Sequence, residues 1–295
     1  VPPRVVVVGD LIFDMLARIE GAVAFGTDTF TEIRAAAGGS GANAAAWLAS
    51  SGVEAHFVGR VGDDVFGEVL AGDLEEIGVV AHLVRDTSLA TGKVFVLVDG
   101  AGERTMITDR GAGEALAPDD LPEALFRAGH LHLSGYMFSG GSRRETALRA
   151  LHLAREAGMS ASVDPSSVPL LEAIGADRFL SWTRGMDLCF PNLDEGVLLT
   201  GSEDPDRVAQ ELLSFYPGVV LKLGPGGALY ASADGERLRL SAAPARVADT
   251  TGAGDALCAG FLARRLSGAP PGEALGRGIE LAARAVERVG ARPGI

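Results

Sequence analysis

The stretch Asp249-Thr250-Thr251-Gly252-Ala253-Gly254-Asp255 runs straight into the apolar-periodic segment Ala256-Leu257-Cys258-Ala259-Gly260-Phe261-Leu262. Small residues open what reads as a helix, so unpaired backbone N–H groups and the positive end of the helix dipole face one point in space. Such a point binds anions. Asp255, in the first turn, would then stand beside the bound anion, where a base is needed to take a proton from an attacking hydroxyl. The combination suggests phosphoryl transfer to an alcohol, a reaction that demands charge stabilisation and positioning more than covalent chemistry. A carboxylate titrating near ~3.9 is ionised at neutral pH, so this reading asks for no raised pKa at Asp255.

Four other groupings could hold the reactants. In Gly38-Gly39-Ser40-Gly41-Ala42-Asn43 the glycines let a small polar ligand approach the backbone, and Asn43 offers both donor and acceptor to a hydroxyl. The plainer reading is a glycine-rich turn in which Asn43 satisfies local backbone groups. The second glycine cluster, Gly59-Arg60-Val61-Gly62-Asp63-Asp64-Val65-Phe66-Gly67, follows it and is read with it. Asp10 and Asp14 come just after the first apolar run, and Asp14 is the residue expected to fix a polyol through two hydroxyl hydrogen bonds, unless it is merely solvated or capping a helix.

Asn192 and Glu195, three apart on an opening helix, could hold a hydrated Mg²⁺, or could simply form a capping box. Leu221-Lys222-Leu223-Gly224-Pro225-Gly226-Gly227 joins two strand-like runs by a glycine turn. Such a turn can lie under a nucleotide's phosphates or ribose, with Lys222 as phosphate partner; equally it can be only a hairpin. It is not a Walker A loop, and no Gly-x-Gly-x-x-Gly follows the first strand, which lowers a dinucleotide reading.

The elements that must position these groups alternate along the chain. Val5–Val8, Ala55–Val58, His130–Leu133, Ala161–Val163, Leu188–Phe190 and Val219–Leu223 read as buried strands, with Ala228–Ala231 after the glycine turn. Ala42–Ser50, Phe66–Ile77, Arg143–Glu156, Asp206–Ser214 and Gly254–Leu266 carry helical spacing. This βαβ rhythm predicts an α/β fold, a doubly wound and mostly parallel sheet in three layers with helices on both faces, and ligands beyond the carboxyl ends of its strands. Two regions break the rhythm: 11–36 alternates without a helix, and 91–110 reads as a hairpin, Lys93–Val98 with Arg104–Thr108, joined by Asp99-Gly100-Ala101-Gly102-Glu103. They are read as one small β-sheet lid, against the alternative of an edge extension of the main sheet. No repeat or long polar linker interrupts the 295 residues, which predicts one domain over 1–295.

Composition narrows the function classes. A formal charge of -13 argues against nucleic acid or an anionic membrane as partner. Cys189 and Cys258 lie in apolar runs and are expected to be buried thiols in a reducing compartment. No apolar stretch has the length of a signal peptide or membrane span, so the cytoplasm is the expected location.

Taken together, Gly38–Asn43, Gly59–Gly67, Asn192–Glu195, Lys222–Gly227 and Asp249–Asp255 occur in the order and spacing of the ribokinase-like (PfkB) carbohydrate kinases, which the chain resembles from Val5 to Ala291. The resemblance implies an ATP-dependent sugar kinase in which the Gly252, Ala253 and Gly254 amides form the anion hole and Asp255 is the general base. It implies that Asn192 and Glu195 help place Mg²⁺ and phosphate, that Asp14, Gly39 and Asn43 hold the acceptor with Ser40 in the same loop, and that adenine lies over the Lys222–Gly227 turn, Gly224 and Gly227 included, and helix Ala282–Val289. Groups matching Asp249 and the Thr251 carbonyl bind K⁺ in several members, so K⁺ stimulation is expected.

The acceptor is less defined. Ser40 replaces the lysine of ribokinases, and Ile12 stands where an Asn usually precedes the acceptor aspartate, which tells against ribose. Asp164-Pro165-Ser166 departs from the Asp-Pro-Asn of ketodeoxygluconate and fructose kinases, although Arg104 and Arg110 on the lid could supply positive charge to a sugar acid. A nucleoside acceptor stays open, because nucleoside kinases of this fold often have a Gly-Gly-Ser loop. A non-catalytic sugar-sensing protein and an NAD-dependent enzyme are the rival classes. Val94, Val96 and Val98, read as the apolar outer face of the lid, predict a homodimer formed through it.

Overall fold

The computed structural model describes residues 2–100 and 104–294, with the side chain of Arg104 outside that set. The chain opens with β1 (Arg4–Val8), β2 (Ile12–Arg18), β3 (Ile33–Gly38), α1 (Ser40–Ser50), β4 (Glu54–Gly62), α2 (Val65–Ile77), β5 (Val80–Asp86), β6 (Thr91–Val98) and β7 (Arg104–Gly111). It continues through β8 (His130–Ser134), α3 (Gly141–Glu156), β9 (Ser160–Asp164), α4 (Val168–Ile174), α5 (Ala176–Thr183), β10 (Leu188–Cys189), α6 (Leu193–Thr200), α7 (Pro205–Leu212), β11 (Gly218–Lys222), β12 (Ala228–Ser232) and β13 (Arg237–Leu240) to α8 (Ala253–Leu266) and α9 (Pro271–Val286).

Nine strands form the main sheet in the order β13-β12-β11-β10-β9-β8-β1-β4-β5. Every pairing from β5 to β11 is parallel, and only β12 and β13 turn back at one edge. The sequence of β1, four consecutive valines, is explained by burial on both faces. Val6 and Val8 pack with Leu131, Ala147 and Leu151 on one side, while Val5 and Val7 pack with Ala42, Leu48 and Ala259 on the other. α3 thus covers one face, and α1 with α8 the other. Cys189 and Cys258 are free, buried thiols, as their apolar surroundings predict.

A separate four-stranded sheet, in the order β3-β2-β6-β7, carries the two rhythm-breaking regions. It is a lid and not an extension of the main sheet. Residues 101–103 of the expected hairpin loop lie outside the described residues. β5 had no place in the sequence reading, because Val80-Ala81-His82-Leu83-Val84 follows α2 after a single turn and lacks a punctuating break of its own.

The lid corrects one expectation directly. Val94 and Val96 are 7% and 5% exposed, and with Ile12 they form a small apolar cluster on the inner face, with Val98 half-buried against it. In a period-two strand the outward residues are the odd ones, and Phe95 (45%) with Ile107 (60%) supply the exposed apolar face. The Gly59–Gly67 cluster also has a different role from the one expected. Asp64 caps α2 by accepting from Gly67 N (2.9 Å), and its carboxylate accepts from Thr91 N (2.8 Å) and Thr91 Oγ1 (2.7 Å) at the root of β6. Those bonds fasten the lid to the main sheet, and no residue of 59–67 lines the cavity between the two sheets.

Candidate active site

A cavity of about 1190 Å³ lies beyond the carboxyl ends of the parallel strands, between the main sheet and the lid. Its position follows from topology: Asp10 follows β1, Asp164 ends β9, Asn192 follows β10 and Lys222 ends β11, and all four line it. A parallel bridge between Asn192 and Lys222 extends β10 and β11 side by side to the cavity floor.

At one end the chain turns into α8. Gly252 has φ 75°, and a Cβ there would come within 2.3 Å of the Ala291 carbonyl oxygen, so only glycine lets the helix start at this point. Gly252, Ala253, Gly254 and Asp255 all line the cavity, with the first-turn N–H groups of α8 in that wall. The Asp255 carboxylate is fixed from across the site by α1: Ser40 Oγ donates to one oxygen at 2.9 Å and Asn43 Nδ2 to the other at 3.2 Å. Asn43 and Ser40 therefore orient the expected base as well as lining the cavity.

The base role asks for no raised pKa, yet the Asp255 carboxyl does not keep the ordinary value. Burial, then the nearby charge of Asp164, push it up to about 7, against the hydrogen bonds from Ser40 and Asn43 and the charge of Lys222. Neither burial nor Asp164, distant in sequence, could be read from the local motif.

Lys222 reaches the same turn. Its Nζ lies 3.3 Å from where a Cβ on Gly254 would stand, and it donates to Asp164 Oδ2 at 2.6 Å. Burial pulls the ammonium toward neutrality, but Asp164, Cys258 and Glu195 together outweigh this and hold its pKa above the ordinary value. Cys258 Sγ donates to the same oxygen of Asp164 at 3.3 Å. Asn192 and Glu195 form the capping box of α6: Asn192 N and Nδ2 donate to the two Glu195 oxygens at 2.8 and 2.9 Å, and Glu195 N donates to Asn192 Oδ1 at 2.8 Å. The box also lines the cavity, and burial raises the Glu195 pKa. Gly224 and Gly227 flank a tight 3-10 turn between antiparallel β11 and β12, so this segment is both a hairpin and cavity wall, facing Ile279, Ala282 and Val286 of α9. That helix ends at Val286, short of the Val289 expected.

The other end is built by the lid. Asp14 lines the cavity from β2 with its carboxylate packed on Gly38, where any Cβ would lie 2.2 Å from Oδ2. Burial and the neighbouring Asp10 raise its pKa to about 7, opposed by Arg292. Gly39, at φ 94°, turns β3 into α1 beside it. Arg110, from the end of β7, lies over the Tyr136 ring at 4.5 Å. Arg104 contributes backbone opposite Val98 in the lid, and its side chain is outside the described residues. Ser166 has φ 74°, a conformation unusual for a non-glycine residue, held by its bonds to Asp164 and by accepting from Gly135 N at 3.0 Å.

Residues 290–292 join the two glycine loops. Asp249 accepts from Thr251 N (2.9 Å), Thr251 Oγ1 (2.6 Å) and Gly290 N (3.1 Å). Trp47 Nε1 donates to the Ala291 carbonyl at 2.9 Å; Arg292 donates to the Gly38 carbonyl at 3.0 Å, to Asn43 Oδ1 at 3.2 Å and to Asp73. Arg292, Asp164, Tyr136 and Ser166 were absent from the site expected from sequence. No short motif marks Arg292 or Tyr136. Asp164 and Ser166, at the end of an apolar run, had a positional signal that strand ends alone could have flagged.

The chain is similar to known sugar and nucleoside kinases. A model of the pfkB family of carbohydrate kinases matches residues 2–295. An ATP-dependent ribose-1-phosphate kinase of Halopiger xanaduensis is 31% identical, over 98% of this chain and 94% of that protein. A fructokinase of Klebsiella pneumoniae is 31% identical, over 88% of this chain and 83% of that one. The crystal structure of adenosine kinase from Sinorhizobium meliloti superposes with a TM-score of 0.89 at 26% identity, covering 100% of this chain and 97% of that one.

Proposed function

The chain belongs to the pfkB family of carbohydrate kinases, and from that premise we propose that it transfers the γ-phosphate of ATP to a hydroxyl of a small carbohydrate, with Asp255 as general base and the Gly252, Ala253 and Gly254 amides as anion cradle. The observation that carries this reading is the Asp255 carboxylate at the opening turn of α8, held by Ser40 and Asn43 in the same cavity as Lys222.

The acceptor hydroxyl donates to Asp255, and its proton passes to the carboxylate as its oxygen attacks phosphorus. Charge on the migrating phosphoryl group is met by the first-turn amides and by the Lys222 ammonium. Asp14, Gly39, Ser40 and Asn43 hold the acceptor so that one hydroxyl stands between Asp255 and the nucleotide. Adenine lies against the Gly224–Gly227 turn and the small residues of α9. Asn192 and Glu195, with Asp164 close by, offer the hard oxygen donors that suit a partly hydrated Mg²⁺, which when bound would neutralise charge on the nucleotide phosphates. Asp249 and the Thr251 carbonyl are the proposed K⁺ ligands.

The exposed apolar residues Phe95 and Ile107 on the lid, with Phe25 and Phe30 in the loop after β2, support a homodimer through that surface. Free buried cysteines support a cytoplasmic setting, and no described helix is long and apolar enough to cross a membrane. A nucleoside acceptor is the second reading, favoured by the apolar inner lid wall of Ile12, Leu16, Val94 and Val96. ADP release measured against neutral sugars, sugar acids, sugar phosphates and nucleosides, with Mg²⁺ and with or without K⁺, tests the proposal. Turnover that requires one acceptor is expected. ATP binding without turnover on any of them would favour a non-catalytic sensor.

A further inference from the structure

Among the described residues, five buried side-chain nitrogen or oxygen atoms have no hydrogen-bond partner, and three of them sit on two arginines, Arg110 Nη1, Arg143 Nε and Arg143 Nη2. A buried guanidinium donor left unpaired costs more than a neutral one, so such atoms mark a missing acceptor. Arg143 is 1% exposed, near the start of α3, and its Nη1 donates to Glu114 Oε1 at 2.9 Å. Arg110 Nε is 3.6 Å from the same Glu114 oxygen. Two guanidinium groups thus share one carboxylate, itself half exposed.

Their surroundings place this pair at the acceptor end of the cavity. Arg110, Tyr136 and Asp10 line it, and Asp10 and Arg110 are the charged neighbours felt most by Arg143 after its burial. Tyr136, under the Arg110 guanidinium, in turn feels the charges of both Asp10 and Asp255.

We infer that the acceptor carries an anionic group, a carboxylate or a phosphate, received by the guanidinium of Arg110 where it lines the cavity, with Arg143 and its unpaired donors behind it, while its reacting hydroxyl lies at Asp255. The inference rests on the proposed kinase reading and narrows its substrate class. Planar guanidinium groups suit either anion, through paired N–H donors. Arg143 is a positioning residue: it shares Glu114 with Arg110 and leaves Arg110 with donors to spare.

The test pairs each anionic acceptor with a neutral counterpart: 2-dehydro-3-deoxygluconate with fructose, and ribose 1-phosphate with ribose. Adenosine is a further arm. kcat/KM is measured for each, and binding without nucleotide is read by calorimetry. One anionic compound is expected to exceed its neutral counterpart by about 10- to 100-fold in both readouts, and which one identifies the anion. Arg110→Met should abolish that preference, lowering kcat/KM for the anionic acceptor far more than for the neutral one, and Arg110→Lys should restore part of it. Arg143→Lys should weaken the preference through KM with kcat retained. Preference for a neutral sugar or for adenosine, or equal losses on both members of a pair in Arg110→Met, overturns the inference and leaves the kinase reading standing. Absence of turnover with every acceptor overturns the kinase reading, and the binding arm then still decides the anion preference.

Discussion

In the proposed kinase, the working groups at the phosphate end of the cavity are first-turn amides of α8 and side chains rooted in the main sheet and its covering helices, Asp164, Lys222 and Asp255. At the acceptor end they are Asp14, Val94, Val96 and Arg110, all on a four-stranded sheet fastened to the rest in part through Asp64 and Thr91. The first end is held by bonds between distant elements; the second is a lid whose inner face is varied by single side chains. In the proposed kinase, reaction type therefore belongs to the large sheet and its helices, and acceptor choice to the lid together with the Gly39–Asn43 turn into α1. The same polypeptide scaffold can keep one constant while the other changes.

The sharpest way to break this division is Asp255→Asn. It should lower kcat by ~10²- to 10⁴-fold with ATP affinity little changed in calorimetry; near-normal turnover would remove Asp255 as base. Lys222→Met comes next, because it strands a buried carboxylate: a stability loss of ~3–5 kcal/mol is expected in denaturant unfolding. Adding Asp164→Asn should recover the stability but not the activity, which separates the charge pair's structural role from its work on phosphate. Asp14→Asn, at the other end, should raise the acceptor KM by ~10- to 100-fold and leave the ATP KM alone. An equal effect on both constants would mean that the two ends are not independent.

A pH profile gives a smaller but diagnostic change. Asp255 and Asp14 both have folded pKa values of about 7, raised chiefly by burial. The reactive base is the ionised form, so kcat/KM should climb as pH rises through about 7 and level off above it. In Asp14→Asn the rise should persist, carried by Asp255. The smallest effect is expected from Thr91→Val, which removes a hydroxyl bonded to Asp64 and Gly62: about 1–3 kcal/mol of stability with the chemistry at Asp255 unaltered.

The two ends also differ in how far sequence reveals them. Asp249–Asp255 is contiguous, and its small residues, helix start and carboxylate state their chemistry within a few positions. The βαβ rhythm likewise shows in four valines at β1 and in the alanine-rich α1. At the lid, strand existence was legible but facing was not: an all-valine run at 94, 96 and 98 shows a period, and only the tertiary packing says which side is inward. Arg143 and Tyr136 come to the site from a turn and a helix start after β8, more than a hundred residues before Asp255, with no local pattern to mark them. The raised pKa of Asp255 comes first from burial and then from Asp164 across the sheet, neither of which the composition of the motif shows. Asn192 and Glu195 made the plainer structure, a capping box, and still face the cavity; both readings describe the same atoms.

The short segment from Gly290 to Arg292 touches Asp249, Trp47, Gly38 and Asn43 at once. Loops more than two hundred residues apart therefore inherit their spacing from a strap a few residues long. Proteolytic clipping just after Val289 would unlatch donor and acceptor machinery together while leaving both hydrophobic cores nearly whole, turning a well-folded chain into one with nowhere to bring its two substrates into register.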